Sequence, residues 1–288
     1  MKSTFLLMGL MLFSYSASAD NTVIGGGGGM SAPAGYTSRQ LIWDENFGSF
    51  DATKWYQDMR DVGRPWSFNL PAPYTSQGNG TDVNAAYDDP AQLSYGTNGL
   101  TITATPSNIF SPYTWKSGTI STGTKWLTPA NGCYIQFKVK TPDVRYGAWP
   151  ALWFFQGTPA WEFDVYEGGF YLNGDSSDPT PLNQILSTTL QSGQGKIQDN
   201  DKIQNNVGAD MSAGFHIFGV EYIPGVSFKV YFDGVLKGTW NKNVPRTRYP
   251  IIIDLQMGQN HDWAPNSDPA NHSGPFQFII QEMQVYSR

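Results

Sequence analysis

Hydrophobic and polar residues alternate along most of the chain with the two-residue period of β-strands. In CYIQFKVK, every second residue from Cys133 to Val139 is apolar, and the residues between them are Tyr, Gln and Lys. Alternating runs also flank the turn GTNG in AQLSYGTNGLTITATPS and the dipeptide Asp233–Gly234 in VSFKVYFDGVLKGTW, so each pair predicts a hairpin. No stretch keeps a helical period for more than a turn or two. The pattern predicts an all-β protein, an antiparallel β-sandwich of the jelly-roll type with two curved sheets.

The N-terminus has the organisation of a secretory signal peptide over residues 1–19. Lys2 precedes an apolar stretch, and the small residues ASA predict cleavage after Ala19. The apolar stretch is too short to span a bilayer, which argues against an anchor helix. Residues 20–38 include five consecutive glycines and predict a flexible lead-in, so one domain is expected over residues 39–288. A secreted protein, extracellular or periplasmic and without a membrane partner, is therefore expected.

The composition of the chain restricts its partners. The net charge is −6 with acids and bases interspersed, and no basic stripe is present, so nucleic acid is not an expected partner. The single cysteine, Cys133, rules out an intrachain disulfide and predicts a buried apolar side chain. Ten tryptophans favour a carbohydrate partner, because indole faces suit the C–H faces of sugar rings. A monomer that binds polysaccharide is expected.

One predicted strand, in WEFDVYEGGF, carries three carboxylates at Glu162, Asp164 and Glu167. Strict alternation would place Glu167 on the opposite face from the other two, among core side chains, where an unpaired carboxylate is costly. A β-bulge at Val165–Tyr166 removes this conflict because two residues then share one pleat. The sequence therefore predicts a bulged strand with all three acids on one face.

The predicted arrangement of the acids suits hydrolysis of a glycosidic bond. Glu162 and Glu167 would lie roughly 13 Å apart between Cα atoms, and their side chains could lean inward over Asp164. The two carboxyl groups would then approach the roughly 5 to 5.5 Å separation of a retaining glycosidase. Like-charge repulsion would keep one acid protonated, as a general acid requires. A calcium site and a solvated strand face are the alternatives, but the flanking aromatic residues favour catalysis.

The run EFDVYE resembles the E-x-D-x-x-E signature of glycoside hydrolase family 16, whose members are retaining endo-glycosidases on a concanavalin A-like jelly roll with a concave substrate cleft. The segments LIWDENF with FDATKW, SGTISTG, YGAWPALWFF, and GFHIFGVEY with VYFDG resemble other parts of this family, in its order. The resemblance covers roughly residues 40–288. It implies that Glu162 is the nucleophile, that Asp164 assists it and that Glu167 is the acid/base.

The resemblance implies no required cofactor. Many members bind a structural calcium ion through an Asp in a C-terminal DYVRVY segment, but the corresponding stretch here is QEMQVY, with Gln281 at that position. Calcium is therefore not assumed. Many β-1,3-glucanases of the family also carry an N-x-E-x-Q-x-Y segment, and NAAYDDPAQLSY keeps only Asn84 of that pattern. This segment gives no support to laminarin-type specificity.

Four further residues are candidates for substrate binding. The resemblance places Trp149 at the sugar-binding floor. Trp115 and Trp263 lie in or beside predicted loops, where each is a candidate for lining the cleft, and a core position is the alternative. His261 stands next to the dipeptide DW and is a candidate for substrate contact. The three histidines have no metal-ligand spacing, so no metal site is predicted.

Together these features predict a secreted retaining endo-β-glycosidase that acts by double displacement. The bulged motif resembles that of laminarinases, agarases and carrageenases, and the expected substrate is a β-1,3- or mixed-linked glucan or a microbial exopolysaccharide. Sparse arginine argues against a densely sulfated polymer. Two alternatives stay open, a transglycosylase with the same intermediate and a lectin-like protein without catalysis. The intact acidic triple favours an enzyme over the lectin-like protein.

Overall fold

The computed structural model describes residues 30–59, 70–76, 84–157, 160–192, 201–259, 262 and 264–288. The predicted signal peptide and the glycine run lie outside the described residues. The strands are Leu41–Glu45 (β1), Thr75–Ser76 (β2), Ala86–Asp88 (β3), Leu93–Gly96 (β4), Gly99–Pro106 (β5), Trp115–Ser117 (β6), Thr119–Ser121 (β7), Cys133–Lys140 (β8), Ala148–Gly157 (β9), Ala160–Glu167 (β10), Ile185–Ser192 (β11), Asp201–Asn206 (β12), His216–Ile223 (β13), Ser227–Phe232 (β14), Val235–Trp240 (β15), Ile251–Met257 (β16) and Phe276–Ser287 (β17). Short 3-10 helices lie at Ser38–Gln40, Pro90–Gln92, Val144–Tyr146, Leu172–Gly174 and Leu182–Gln184. Across these ranges, no helix is long and apolar enough to cross a membrane.

The strands form two sheets that pack face to face. The outer sheet is 11-stranded, with the order β15-β14-β13-β8-β17-β5-β6-β3-β2, β1 paired to β17 and β4 paired to β5. The second sheet is 6-stranded, with the order β12-β11-β10-β9-β16-β7. Every pair in the 6-stranded sheet is antiparallel, and β3 pairs with β6 in parallel in the outer sheet. The predicted antiparallel jelly-roll sandwich is confirmed.

The main core lies between the sheets because each strand turns its apolar side chains inward. Phe163 of β10 stacks on Phe228 of β14 with ring centroids 3.9 Å apart. Tyr166 of β10 packs against Phe218 of β13 at 4.7 Å. Cys133 is fully buried in the same core, as predicted. These contacts fix which face of β10 is turned inward, and its other side chains point away from the outer sheet.

Both predicted hairpins are present, between β4 and β5 and between β14 and β15. In the second turn, Asp233 has φ 47° and Gly234 has φ 76°. A two-residue hairpin turn of this kind needs left-handed backbone, which glycine adopts without steric cost and aspartate tolerates. The carboxylate of Asp233 also hydrogen-bonds His216 at 2.7 Å and raises the pKa of that histidine. This contact gives His216 a structural role at the hairpin.

Residues 30–38, the described part of the predicted lead-in, contact the outer sheet. The backbone N–H of Met30 donates to Oε1 of Glu282 at 3.0 Å. The ring of Tyr36 lies 5.5 Å from that of Tyr134, between centroids. Composition alone did not show these contacts, because the glycine run dominates the segment.

Candidate active site

The bulge predicted in β10 is present. Asp164 pairs with Trp153 of β9, and Tyr166 pairs with the next residue, Leu152, so Val165 is the extra residue between them. The register with β11 shifts at the same place. Val165 and Tyr166 are both completely buried. Because two consecutive residues point into the core, the residue that follows returns to the face of Asp164.

The three carboxylates share the face of the 6-stranded sheet that is turned away from the main core (the cleft face). Asp164 is 2% exposed, while Glu162 and Glu167 are half-buried. A side-chain hydrogen bond joins Asp164 to Glu167, and the charge of Glu162 acts on Glu167. The predicted grouping of three acids on one face is confirmed. The role that the resemblance implies for Asp164, assistance to Glu162, stays a prediction.

The surroundings of Glu167 raise its pKa to about 7. Burial is the largest cause, because it disfavours the charged form, and repulsion from Glu162 adds to it. Three groups act in the opposite direction. They are the ammonium group of Lys202, the indole N–H of Trp149, which donates to Oε1 at 3.2 Å, and a hydrogen bond with Asp164. A carboxyl group that holds its proton near neutral pH is suited to general acid catalysis.

Trp149 lies beside Glu167 at the start of β9. Its ring is 6% exposed and packs edge-on against Phe170, with centroids 5.7 Å apart. A crevice lined by Trp149, Gly168 and Pro265 adjoins these rings. The position beside Glu167 fits the predicted contact between Trp149 and a sugar ring, which stays a prediction.

Trp115 does not line a cleft, and the prediction of substrate binding by this residue is corrected. It is completely buried in the main core, and its ring centroid lies 5.5 Å from that of Phe276. A side chain with no exposed surface cannot contact a polysaccharide. Trp115 therefore occupies the core position that was the alternative to cleft lining. His261 and Trp263 lie outside the described residues, and their predicted roles stay predictions.

A second, smaller hydrophobic cluster covers part of the cleft face. Trp153 and Phe155 of β9 pack with Ile252 of β16, and Met59 joins them from the segment before the second strand. Trp153 is 4% exposed and lies on the opposite side of the sheet from the main core. The cluster lies toward the end of β9, whereas Trp149 lies toward its start.

A fourth carboxyl group, Asp254, lies in the same cross-strand row as Glu167. Asp254 of β16 pairs with Ala151 of β9, and Ala151 pairs with Glu167. Asp254 is completely buried, and its Oδ2 accepts a hydrogen bond from the indole of Trp153 at 3.3 Å. Burial, with a further contribution from Asp88, raises the pKa of Asp254 well above its usual range. Sequence reasoning missed this residue, although a polar residue inside the apolar run IIIDLQM was a usable signal.

Lys202 is a second functional candidate that sequence reasoning missed. It lies on β12 and pairs with Thr189 of β11, which pairs with Asp164. Its Nζ is 4.4 Å from the ring centroid of Phe170, and its charge interacts with Glu167 and Asp164. The segment that contains β12 reads as polar and irregular in the sequence. Ile203 is the one apolar residue of DKIQNN, so no alternation in this segment predicts a strand.

Within the described ranges, no group of three or more His, Cys, Asp or Glu side chains could hold a metal ion. His272 is packed against Tyr146, with ring centroids 4.2 Å apart, so it too has a structural contact. The expectation that no cofactor is required, and that Gln281 does not support a calcium site, stays a prediction.

The fold is that of the family 16 glycoside hydrolases. The chain is similar to the laminarinase catalytic domain from Thermotoga maritima, with a TM-score of 0.67, 22% identity and coverage of 86% of this chain and 98% of that chain. It is also similar to the Bacteroides ovatus mixed linkage glucan family 16 protein in complex with a product, with a TM-score of 0.66, 17% identity and coverage of 85% and 99%. The family suggested by the acidic motif is thus the family of these structural neighbours.

Similarity in sequence alone is more local. No family model matches the chain. Over 67 residues it is 39% identical to a β-glucanase from Paenibacillus macerans, a match that covers 23% of this chain and 28% of that relative. The chain therefore matches little more than a quarter of the length of this curated relative.

Proposed function

We propose that this chain is an exported, retaining endo-β-glucanase. The observation that carries the proposal is the bulge in β10, which turns Glu162, Asp164 and Glu167 to one face of the sheet. The surroundings of Glu167 raise its pKa to about 7. A bulge that turns two consecutive residues into the core has no evident use in a protein that only binds sugar. The names of the structural neighbours add a β-glucan as the substrate class.

The reaction that fits these residues has two steps. In the first, a Glu162 oxygen forms a bond to the anomeric carbon while the glycosidic C–O bond breaks, and Glu167 gives its proton to the leaving oxygen. In the second, water attacks the same carbon, its proton passes to the Glu167 carboxylate, and the bond to Glu162 breaks. Asp164, which is hydrogen-bonded to Glu167, assists the nucleophile by helping to keep the charge of Glu162 in place.

The proposed substrate is a β-1,3- or mixed-linked glucan. The laminarinase and mixed linkage glucan neighbours support this choice, as do the net charge of −6 and the few arginines, which suit a neutral polymer better than a sulfated one. Export through the predicted signal peptide would place the enzyme where such polymers occur.

The test is a product profile on laminarin, barley mixed-linked glucan, carboxymethylcellulose, agarose and a bacterial exopolysaccharide. We expect oligosaccharides from laminarin or barley glucan, with the β-anomer appearing first in proton NMR spectra. A Glu162→Gln variant serves as the inactive control. Binding of these glucans without new reducing ends would support the lectin-like alternative, and transfer products in place of hydrolysis would support the transglycosylase. First release of the α-anomer would contradict a retaining mechanism.

A further inference from the structure

The charged groups around Glu167 are unequal in sign. Glu162 and Asp164 lie on the same strand, and Glu167 helps to raise the pKa of Asp254 on β16. Lys202 acts from β12. In the described residues, β9 and β11 contribute no charged side chain. In the part of the chain that the structure describes, Lys202 is therefore the cation that opposes burial and the charge of Glu162 at Glu167.

The proposed reaction makes opposite demands on Glu167 in its two steps. It must hold a proton before the first step and must be a carboxylate before the second. Burial and the charge of Glu162 favour the protonated form, whereas the hydrogen bonds from Trp149 and Asp164 and the charge of Lys202 favour the carboxylate. Formation of the carboxylate places a new negative charge beside Glu162 in a buried site, so a nearby cation lowers the free energy of this form.

The position of Lys202 is suited to this task. Its Nζ lies 4.4 Å from the centroid of Phe170, and Phe170 packs edge-on against Trp149. Trp149 in turn donates a hydrogen bond to Glu167. A cation over an aromatic face is held by the ring quadrupole. One aromatic ring therefore contacts both the lysine and the tryptophan that orients Glu167.

We propose that Lys202 is a positioning residue for Glu167, whose ammonium group stabilises the carboxylate that forms when Glu167 gives its proton to the leaving oxygen. This inference rests on the proposed function. It needs no further reactant, because the proton moves from Glu167 to the leaving oxygen and later from water to Glu167. Burial lowers the pKa of Lys202, while the charges of Glu167 and Asp164 act to keep it protonated, and the proposed role uses this protonated form.

The size of the effect is limited by solvent. An opposite charge within about 4 to 6 Å lowers a carboxyl pKa by about 1 to 3 units. Lys202 is exposed, and water screens part of its charge, so a shift near the lower end, about one unit, is expected. Bound polysaccharide displaces water from the cleft face, so the effect should be larger in the complex than in the free enzyme.

The first measurement is a titration of Glu167 by carbon-13 NMR of the side-chain carboxyl groups, with the signal assigned from a Glu167→Gln variant. Lys202→Met should raise the midpoint by about one pH unit, and Lys202→Arg should restore it to within a few tenths. Lys138→Met is the matched control. That lysine also lies near a ring, 6.0 Å from the centroid of Phe215, but on the outer sheet. It should leave the titration unchanged.

The second measurement is the pH profile of glucan hydrolysis. In Lys202→Met, the alkaline limb of kcat/KM should move up by about one unit, and the limb of kcat should move further. Lys202→Gln provides a second neutral variant if the first does not fold. An unchanged Glu167 titration in a folded neutral variant of an active enzyme would overturn this inference and leave the proposed function standing. A shifted titration in a protein that hydrolyses no glucan would overturn the proposed function instead.

Discussion

Trp149 donates its indole N–H to Glu167 across 3.2 Å, from the neighbouring strand of the same sheet. A donor of this kind stabilises the carboxylate form of Glu167, so it opposes the burial that raises the pKa. The same indole packs against Phe170. Trp149 therefore both holds Glu167 in place and lines the crevice beside it.

Trp149→Phe keeps an aromatic ring but removes this donor. The pKa of Glu167 should then rise above about 7, so the alkaline limb of the kcat/KM profile should move to higher pH. We expect kcat to fall roughly tenfold, the scale of a lost hydrogen bond to a charged group. Profiles between about pH 5 and 9 on soluble glucan provide the check. Trp126→Phe, a half-buried tryptophan packed against Trp43, should keep the wild-type profile.

Glu162→Ala removes the proposed nucleophile. Hydrolysis of glucan should fall at least about a thousandfold, because no covalent intermediate forms. Azide should restore turnover of an activated aryl glycoside and give a glycosyl azide of inverted configuration, since the small anion occupies the space of the lost carboxylate. NMR of the product determines the configuration. A rescued product of retained configuration would reverse the assigned role.

Glu167→Ala removes the proposed acid/base and should separate substrates by their leaving groups. Polysaccharide cleavage needs a proton on the leaving oxygen and should fall at least about a thousandfold, whereas release of dinitrophenol needs none and should stay within about tenfold in the first step. Pre-steady-state release of dinitrophenol provides the measurement. Equal losses on both substrates would argue against the assignment.

Asp164→Asn keeps the shape of the side chain but removes its titration. Asp164 is joined to Glu167 by a hydrogen bond, and Glu162 lies on the same face of the strand. We expect kcat to fall roughly a hundredfold and the pH profile to shift, because the apparent pKa values belong to the group of acids as a whole. A variant with the wild-type kcat and pH profile would show that Asp164 takes no part in the reaction.

Asp254→Asn should change how stability depends on pH. Burial raises the pKa of Asp254 in the folded state well above its usual range, while in the unfolded chain it stays near 4. As the pH rises above about 4, the unfolded state releases this proton first, so the wild-type protein loses stability up to the folded pKa. The free energy of unfolding in urea should therefore fall less between about pH 4 and 8 in the variant. A steeper fall in the variant would contradict this assignment.

The bulged strand β10 could be predicted from sequence because side chains alternate strictly between the two faces of a strand. Glu167 breaks the alternation set by Glu162 and Asp164. Because an unpaired carboxylate in the core is costly, the sequence predicts a bulge that returns Glu167 to the face of the other two acids. The hairpin at Asp233–Gly234 was predictable for a similar reason, since its turn needs a left-handed backbone.

Other features depend on contacts that a local pattern does not contain. Trp115 begins a short strand, and the sequence does not show which way its side chain points. Its packing against Phe276 shows that it lies inside the sandwich. Lys202 was missed because β12 is brought near Glu167 of β10 only through the pairing of both strands with β11, which the local sequence does not show. Asp254 and Glu167 lie in one row because both pair with Ala151, and Asp254 is far from the other two residues in the chain.

The segment around Met30 and Tyr36 determines where the polypeptide enters the domain. It lies on the outer sheet, where Met30 is hydrogen-bonded to Glu282 and the ring of Tyr36 packs against that of Tyr134. Glu167 lies on the 6-stranded sheet, on the face turned away from the main core. A tag, linker or carrier joined ahead of residue 30 would therefore trail from the back of the molecule. Immobilised through that end, the protein would turn its carboxylates toward the medium, and a long polymer could approach them without meeting the support.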